Sequence, residues 1–245
     1  MKLKRFKGFW IICQSLIAFS LTFTLGCKDV DLSQVADTLG QYQRPLDTQT
    51  VVAGLKQALE VGTKNSVSAT SKVGGFSDNP LIRIATPQKL EKVTSTLKNI
   101  GLGRYVDKFE LQMNRSAEAA TKSAGEVLMA SIRQMSIKDA WNILNGPDNA
   151  ATEYFKKTSS ATLRKKFRPI ISRSMNQVGF YSDYKKLLSS YEALPLTEKP
   201  NLDIEAHITN KTMSGLFTLI QDEEKKIRQN PSARVTELLR RVFGN

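Results

Sequence analysis

Residues 104–135, RYVDKFELQMNRSAEAATKSAGEVLMASIRQM, carry the longest helical pattern of the chain. At about 100° of rotation per residue, eight small or apolar side chains of this stretch fall on one narrow stripe. They are Val106, Phe109, Met113, Ala117, Ala120, Ala124, Val127 and Met135. The pattern predicts one helix of roughly 48 Å, because each helical residue adds about 1.5 Å. The alanines of the stripe allow a second helix to approach closely, so the stretch predicts a core of helices packed on helices.

Capping signals mark other helices on both sides of this stretch. Asp47 is a predicted cap, and Ser136 with Asp139 has the spacing of a capping box. Thr86 and Asp148 are the predicted caps of two further helices. Signals for the starts of helices therefore recur along most of the predicted domain.

The remaining helical patterns complete the predicted architecture. Pro169 is expected to kink or divide its helix, because proline lacks the amide donor that the helix interior needs. No alternating strand pattern appears, so the sequence predicts an all-α, multi-helix bundle that forms a single domain over residues 46–245. Helices are expected at about 47–72, 87–101, 136–146, 160–178, 182–193, 202–229 and 232–243.

The amino terminus has the pattern of an export signal. Basic residues precede an apolar run at 9–24, which ends in Leu25, Gly26 and Cys27. The pattern predicts a lipoprotein signal peptide at 1–26, a lipid on Cys27 and a polar tether at 27–45. An uncleaved anchor at 9–25 is the alternative, although 17 residues is at the lower limit for spanning a bilayer. Because Lys28 and not Asp follows Cys27, the expected location is the outer membrane, facing the periplasm.

The charge of the exported part narrows its expected partners. Four of the 36 basic residues and none of the 23 acidic residues lie in 1–26, so the exported part keeps a net charge of +9. Outside the cytoplasm the available polyanions are anionic lipids, envelope polymers and acidic proteins, and no nucleic acid is expected. The two cysteines, Cys13 and Cys27, lie outside the predicted domain, so no disulfide is expected within it.

A cluster of cations between residues 156 and 173 is the sharpest electrostatic feature. No acid interrupts it, and Leu163, Phe167, Ile170, Ile171 and Val178 fall on the opposite face. Two interpretations remain open, the solvated back of a core-facing helix and a docking surface for an anionic partner. The candidate binding residues are Lys156, Lys157, Arg164, Lys165, Lys166, Arg168 and Arg173.

Polar side chains on apolar helix faces give a second set of candidates. Glu224 falls within the apolar stripe of the helix at 202–229, where an ionised carboxylate needs a cation or several donors. Glu110, Asn114 and Glu118 share a face at four-residue spacing, which fits either a polar row in a cleft or a wet helix face. By residue type Arg115, Arg133 and Arg173 are possible partners of Glu224. The candidate cleft or buried polar residues are thus Glu110, Asn114, Arg115, Glu118, Arg133 and Glu224.

The residue inventory excludes several functional classes. With one histidine, His207, and no cysteine in the predicted domain, no metal site and no cofactor are expected.

The preferred hypothesis is a membrane-tethered, non-enzymatic binding module. A carrier that holds a lipid between its helices is the first alternative, and a carboxylate-based hydrolase of envelope glycan that uses Glu224 or Glu110 is the second. The carrier would be lined by Met113, Met129, Met135, Met175 and Met213.

Several separate motifs, in order along the chain, resemble an uncharacterised family of bacterial lipoproteins, a domain of unknown function. They are GLGRYVD at 101–107, MNR at 113–115 with AEAA at 117–120, IRQMSI at 132–137, Asp148 with AAT at 150–152 and YF at 154–155, and GLF at 215–217 with EE at 223–224 and IR at 227–228. The resemblance covers about residues 45–244. It implies a helical envelope protein and supplies no activity, so no catalytic residue follows from it.

Overall fold

Eight α-helices and one 3₁₀ turn form the described part of the chain in this computed structural model, which contains no strand in that part. The all-α prediction is confirmed. The structure describes residues 47–192 and 202–230, and the single residues Thr236, Leu238, Arg240 and Val242. The predicted signal peptide, the tether with Cys27 and most of the predicted helix at 232–243 lie outside these residues. The helices are α1 (Thr48–Ser71), α2 (Glu91–Asn99), α3 (Gly103–Thr121), α4 (Ala124–Gln134), α5 (Ile137–Leu144), α6 (Ala150–Gln177), α7 (Phe180–Glu192) and α8 (Ile204–Gln229), with the 3₁₀ turn Gln88–Leu90 before α2.

The long helix expected at 104–135 is in fact two helices, α3 and α4, separated by a turn at Lys122 and Ser123. The amide and the hydroxyl of Ser123 both donate to the carbonyl of Ala120, at 3.1 and 2.8 Å. The Thr121 hydroxyl donates to the carbonyl of Glu118 at 3.1 Å. Such local bonds compete with the helical ladder and end α3. The predicted stripe nevertheless stays buried across the break, because both helices face the same core.

The core forms around α6, which packs against α3, α4, α5, α7 and α8. Five fully buried phenylalanines contribute to it, and the rings of Phe109 and Phe180 stack with centroids 5.0 Å apart. Apolar burial of this kind stabilises the fold by about 25 cal/mol per Å². Buried apolar residues from all eight described helices belong to one cluster, and Leu46–Asn245 forms one compact unit. The part of the chain after the predicted tether is therefore a single domain.

The sequence predicts one helix capped by Asp148 and a second at 160–178, but the structure has one continuous helix, α6, over this stretch. Asn149, not Asp148, is the residue at its amino-terminal cap. The helix continues through Pro169, which lies on its exposed side. The carbonyl of Lys165, which loses its helical donor, lies one turn away on the same side, where water can reach it. The buried residues of α6 repeat every four positions: Phe155, Ser159, Leu163, Phe167, Ile171 and Met175.

The irregular segment at 72–87 packs against α3 and α8. It leaves α1 through Gly74, whose φ of +85° favours glycine. Phe76 and Ile82 are buried against Gly215 of α8, where an added Cβ would lie 2.7 Å from the Phe76 ring and 3.1 Å from the Ile82 Cβ. The absence of a side chain at Gly215 therefore lets the segment pack directly on the α8 backbone.

Candidate functional site

The outward face of α6 carries a ridge of exposed residues that repeats every four positions, opposite the buried line. We call Lys157, Ala161, Lys165, Pro169 and Arg173 the α6 ridge, and all five are exposed. Each helical residue adds about 1.5 Å, so the three cations of the ridge follow one another at about 12 Å along the helix. None of the three has an ion-pair partner among the described residues.

The other four predicted cations of α6 lie on its flanks and are bound to neighbouring residues. Lys166 pairs with Glu126 of α4, with 2.5 Å between Nζ and Oε2. Arg168 pairs with Asp203 beside α8, with 2.9 Å between Nη2 and Oδ2. These two pairs join α6 to its neighbours on either side, so the α6 cations without an ion-pair partner among the described residues are the three of the ridge and Arg164.

The remaining flank cations are also engaged. Lys156 pairs with Glu153 one turn earlier, and Arg164 donates to the side chain of Asn210 at 3.4 Å. On the opposite face, Leu163, Phe167 and Ile171 are buried and Ile170 is partly buried, as the sequence predicts. Val178 was expected on that apolar face, but it is 43% exposed because it caps the helix end.

The polar row of α3 binds the backbone of the 72–87 segment. The side chain of Asn114 pairs with both backbone groups of Ile84: the Ile84 amide donates to Oδ1 and Nδ2 donates to the Ile84 carbonyl, each at 2.9 Å. Oε1 of Glu118 accepts from the amides of Phe76 and Ser77, at 3.1 and 3.3 Å. The row is thus neither an open cleft nor a wet helix face. Its side chains bind backbone groups of the 72–87 segment, as the backbone of a neighbouring strand would.

Glu110 completes the row at the end of the segment. Its Oε1 accepts from the amide and the hydroxyl of Thr86, at 3.1 and 2.6 Å, and its Oε2 pairs with Arg83 at 3.0 Å. Thr86 therefore does not cap the next helix as predicted, because Glu110 binds its hydroxyl. Burial alone raises the pKa of Glu110, but the bonds from Thr86 and the charge of Arg83 outweigh it and hold the pKa below its ordinary value.

Glu224 of α8 caps the amino terminus of α6. Its Oε1 accepts from the amide of Ala151 at 2.9 Å, and its Oε2 accepts from the amide and the hydroxyl of Thr152 at 2.9 and 2.8 Å. These amides belong to the first turn of α6, which has no helical acceptor for them. The carboxylate also complements the positive end of the helix dipole. Glu224, which belongs to α8, thus accepts hydrogen bonds from the first-turn amides of α6. The predicted cap Asp148 is not the cap residue of this helix.

Arg228 is the cationic partner of Glu224. Its Nη2 lies 3.0 Å from Oε1 of Glu224 and 2.7 Å from the carbonyl of Ile143, near the end of α5. The pair therefore joins the end of α5 to the start of α6. Sequence reasoning missed Arg228, although its position four residues after Glu224 is the signal that could have found it.

The three arginines expected near Glu224 lie elsewhere. Arg115 pairs with Glu118, with 2.7 Å between Nη1 and Oε2. Arg133 is exposed on α4, and Arg173 is exposed on the α6 ridge. The six residues predicted as one cleft or buried polar set therefore divide into the α3 row with Arg115, the Glu224 cap, and a surface arginine.

A small cavity of about 20 Å³ lies between α1, α5, α6 and α8. Glu224, Arg228 and the buried side chain of Thr63 are among its lining residues, and the Thr63 hydroxyl has no hydrogen-bond partner among the described residues. The volume is sufficient for about one water molecule. This cavity therefore has no room for an acyl chain.

The methionines that would line a carrier pocket are packed in the core. Met113, Met135, Met175 and Met213 are buried within it, and Met129 packs against it. Their side chains fill space between helices, which is the ordinary use of methionine in a core.

His207 is the only histidine of the chain and is half-buried in α8, where its Nε2 is buried without a hydrogen-bond partner among the described residues. Burial lowers the pKa of His207, and the charge of Lys211 lowers it further, while the carbonyl of Ala85 opposes both. His207 thus faces the 72–87 segment.

We expect protonation of His207 to destabilise the fold at mildly acidic pH. Because its pKa is lower in the folded chain than the reference value of 6.5, the unfolded chain binds the proton first. Stability is then highest above that reference value and declines as the pH falls below it. Urea unfolding between about pH 7.5 and 5 measures the decline, since carboxylates titrate mainly below this window. The variant H207Q should remove the slope, and an identical slope in both proteins would contradict the assignment.

Two further findings bear on the kind of site present. Among the described residues no group of three or more His, Cys, Asp or Glu side chains is arranged to hold a metal ion. In the same part of the chain, none of the helices combines the length and the apolar character needed to cross a membrane.

The chain was compared with known proteins. The family model described as a protein of unknown function (DUF4197) matches residues 45–244. No curated protein and no solved structure matches the chain. The match covers the whole helical domain, including the α3 row, the α6 ridge and the Glu224 cap. The chain therefore belongs to this family of unknown function, DUF4197.

Proposed function

We propose that the protein is a membrane-tethered, non-enzymatic binding module that lays its α6 ridge against an anionic lipid surface. The tether in this proposal is the segment 27–45 with a lipid on Cys27, after removal of the signal peptide at 1–26. Acyl chains on Cys27 would hold the domain near the bilayer, since each buried methylene contributes about 0.8 kcal/mol. The outer membrane, facing the periplasm, is the proposed location.

The observation that carries the proposal is the division of the α6 cations into two groups. The flank cations are bound to Glu153, Glu126, Asp203 and Asn210, whereas Lys157, Lys165 and Arg173 point outward without an ion-pair partner among the described residues. Small or compact residues, Ala161 and Pro169, separate the three cations. Successive ridge positions are rotated by about 40° around the helix axis, so the ridge winds around α6 and successive ridge cations point about 80° apart. The long side chains of two successive cations, Lys157 with Lys165 or Lys165 with Arg173, can still reach one anionic surface together.

Reversal of the ridge charges should weaken binding to anionic vesicles strongly. The variant is K157E/K165E/R173E in a chain of residues 28–245, which includes the whole described core. Each cation near an anionic surface contributes about 1 kcal/mol, so loss of the two that reach it together weakens the apparent affinity about thirtyfold. Co-sedimentation with vesicles of phosphatidylglycerol and phosphatidylcholine in equal parts measures the effect at low salt, where screening is weak.

A matched control separates the ridge from the net charge. The variant K64E/K89E/K92E makes the same change in net charge at three exposed lysines of α1, the 3₁₀ turn and α2. It should bind nearly as well as the unmodified chain. An equal loss of vesicle binding in the two variants would mean that net charge alone causes the attraction. Unchanged binding of the ridge variant would refute the proposal.

The two alternative functions have less support from the geometry. A lipid carrier needs an apolar cavity of several hundred Å³, whereas the cavity beside Glu224 measures about 20 Å³. A glycan hydrolase needs a carboxylic acid with a raised pKa, whereas the pKa of Glu110 is lowered. Glu224 accepts hydrogen bonds from Ala151, Thr152 and Arg228, so both of its oxygens are occupied by structural donors.

A further inference from the structure

Helix α5 presents an exposed apolar pair close to the amino-terminal end of the α6 ridge. Ile137 and Trp141 lie one turn apart and are 55% and 39% exposed, whereas Ala140 and Ile143 on the other side of the helix are buried. Exposure of an isoleucine and a tryptophan side by side leaves a contiguous apolar surface in water. The indole N–H of Trp141 has no hydrogen-bond partner among the described residues.

Two cations lie on or near α5. Lys138 lies between its two members in the sequence and is exposed. Lys157, the first cation of the α6 ridge, is close enough to Asp139 of α5 to interact with it electrostatically. The carboxylate of Asp139 accepts from the amide and the hydroxyl of Ser136 in the capping box, and its negative charge offsets one of these two cations. The apolar pair thus has one exposed cation beside it, Lys138, while the first cation of the ridge lies near α5 on the side of Asp139.

This combination fits the interface of an anionic bilayer. Tryptophan favours the headgroup level, where its ring contacts acyl chains and its N–H meets water or phosphate oxygens. Cations beside it gain from the negative surface potential within about one Debye length. An acidic protein partner would match the cations, but the exposed isoleucine and the unpaired indole N–H together favour lipid.

We propose that Trp141 and Ile137 insert into the anionic lipid surface on which the α6 ridge docks. This inference rests on the proposed function and adds a hydrophobic anchor to it. The ridge supplies attraction at a distance, and the α5 pair supplies contact that salt does not screen. Binding of the unmodified chain therefore weakens with salt but is not abolished.

The chain offers an internal probe for this inference. Its two tryptophans are Trp10 and Trp141, so a chain of residues 28–245 contains Trp141 alone. On addition of the phosphatidylglycerol and phosphatidylcholine vesicles, the emission of Trp141 should move to shorter wavelength. Lipids brominated on their acyl chains should quench it. Vesicles of phosphatidylcholine alone should cause neither change, because the ridge has no anionic surface to bind.

A variant of the second member of the pair tests the energetic contribution. I137S keeps Trp141 as the reporter and should weaken vesicle affinity about fivefold, as expected for loss of one half-buried aliphatic contact. L81S is the control, since Leu81 is 73% exposed on the segment between α1 and α2, and should bind within twofold of the unmodified chain.

The outcomes separate this inference from the proposed function. If the chain sediments with anionic vesicles while Trp141 emission is unchanged and unquenched, insertion is refuted and the docking of the ridge stands. If the chain does not sediment at all, both proposals fail. Blue-shifted, quenched emission together with the I137S loss supports insertion.

Discussion

Replacement of Glu224 by glutamine should destabilise the domain by about 3–5 kcal/mol, the range expected when a buried ion pair loses one partner. The carboxylate accepts from Ala151, Thr152 and Arg228, and all of these groups are donors. The glutamine amide retains one acceptor oxygen but places an NH₂ group against donors. It also removes the negative charge that Glu224 places beside Arg228. Since natural domains are stable by about 5–15 kcal/mol, this is a large part of the total.

Urea unfolding at pH 7 measures the effect. The matched control is E153Q, a glutamate in the first turn of α6 that is exposed and pairs with Lys156 at 2.8 Å. Exposed pairs contribute roughly 0–1 kcal/mol, so the control should change stability by no more than that. A loss in E224Q as small as in E153Q would show that Glu224 is not the cap that joins α5, α6 and α8.

Replacement of Asn114 by aspartate should have an effect of similar size. Nδ2 of Asn114 donates to the carbonyls of Ile84 and Glu110, at 2.9 and 2.7 Å. A carboxylate there turns a donor into an acceptor facing two carbonyl oxygens, and it lies one helical turn from Glu110 on one side and Glu118 on the other. We expect a loss of about 3–5 kcal/mol at pH 7, because an uncompensated charge is buried with unpaired acceptors.

The pH dependence of N114D gives a second readout. Protonation of the new carboxyl restores one donor, so the deficit should shrink as the pH falls toward the unfolded-chain pKa of about 3.9. Amide hydrogen exchange at Ile84 should accelerate more than exchange in the middle of α6. The control N142D changes an exposed asparagine of α5 and should cost no more than about 0.5 kcal/mol. Equal stability of the two variants would mean that the α3 row does not bind the 72–87 segment.

Local signals in the sequence predicted most of the fold. Asp47 caps α1 by accepting from the Thr50 amide, and Ser136 with Asp139 forms the predicted capping box. These signals act within four residues, so they can be found without a structure. The break between α3 and α4 was missed because the bonds of Ser123 and Thr121 compete with a helical pattern that remains periodic. The continuity of α6 through Pro169 depends on which side of the helix meets water, which only packing decides.

The candidate site was less accessible to sequence reasoning, because its partners are distant in the chain. Placement of Glu224 in an apolar stripe correctly predicted a need for donors, but Ala151 and Thr152 lie more than 70 residues away. The basic stretch contained no acid, yet Glu126 and Asp203 neutralise its flanks from other helices. Only the geometry separates the ridge cations Lys157, Lys165 and Arg173 from the rest.

The most direct measurement of the central claim, that the α6 ridge is the surface that docks on anionic lipid, is footprinting of lysine side chains. An amine-reactive acylating reagent is applied to the chain of residues 28–245 with and without phosphatidylglycerol vesicles, and each modified lysine is quantified by mass spectrometry. We predict that Lys157 and Lys165 become protected on the vesicles while Lys64 and Lys92, which are exposed on α1 and α2, react as before. Protection of Lys64 and Lys92 with Lys157 and Lys165 still reactive would contradict the claim.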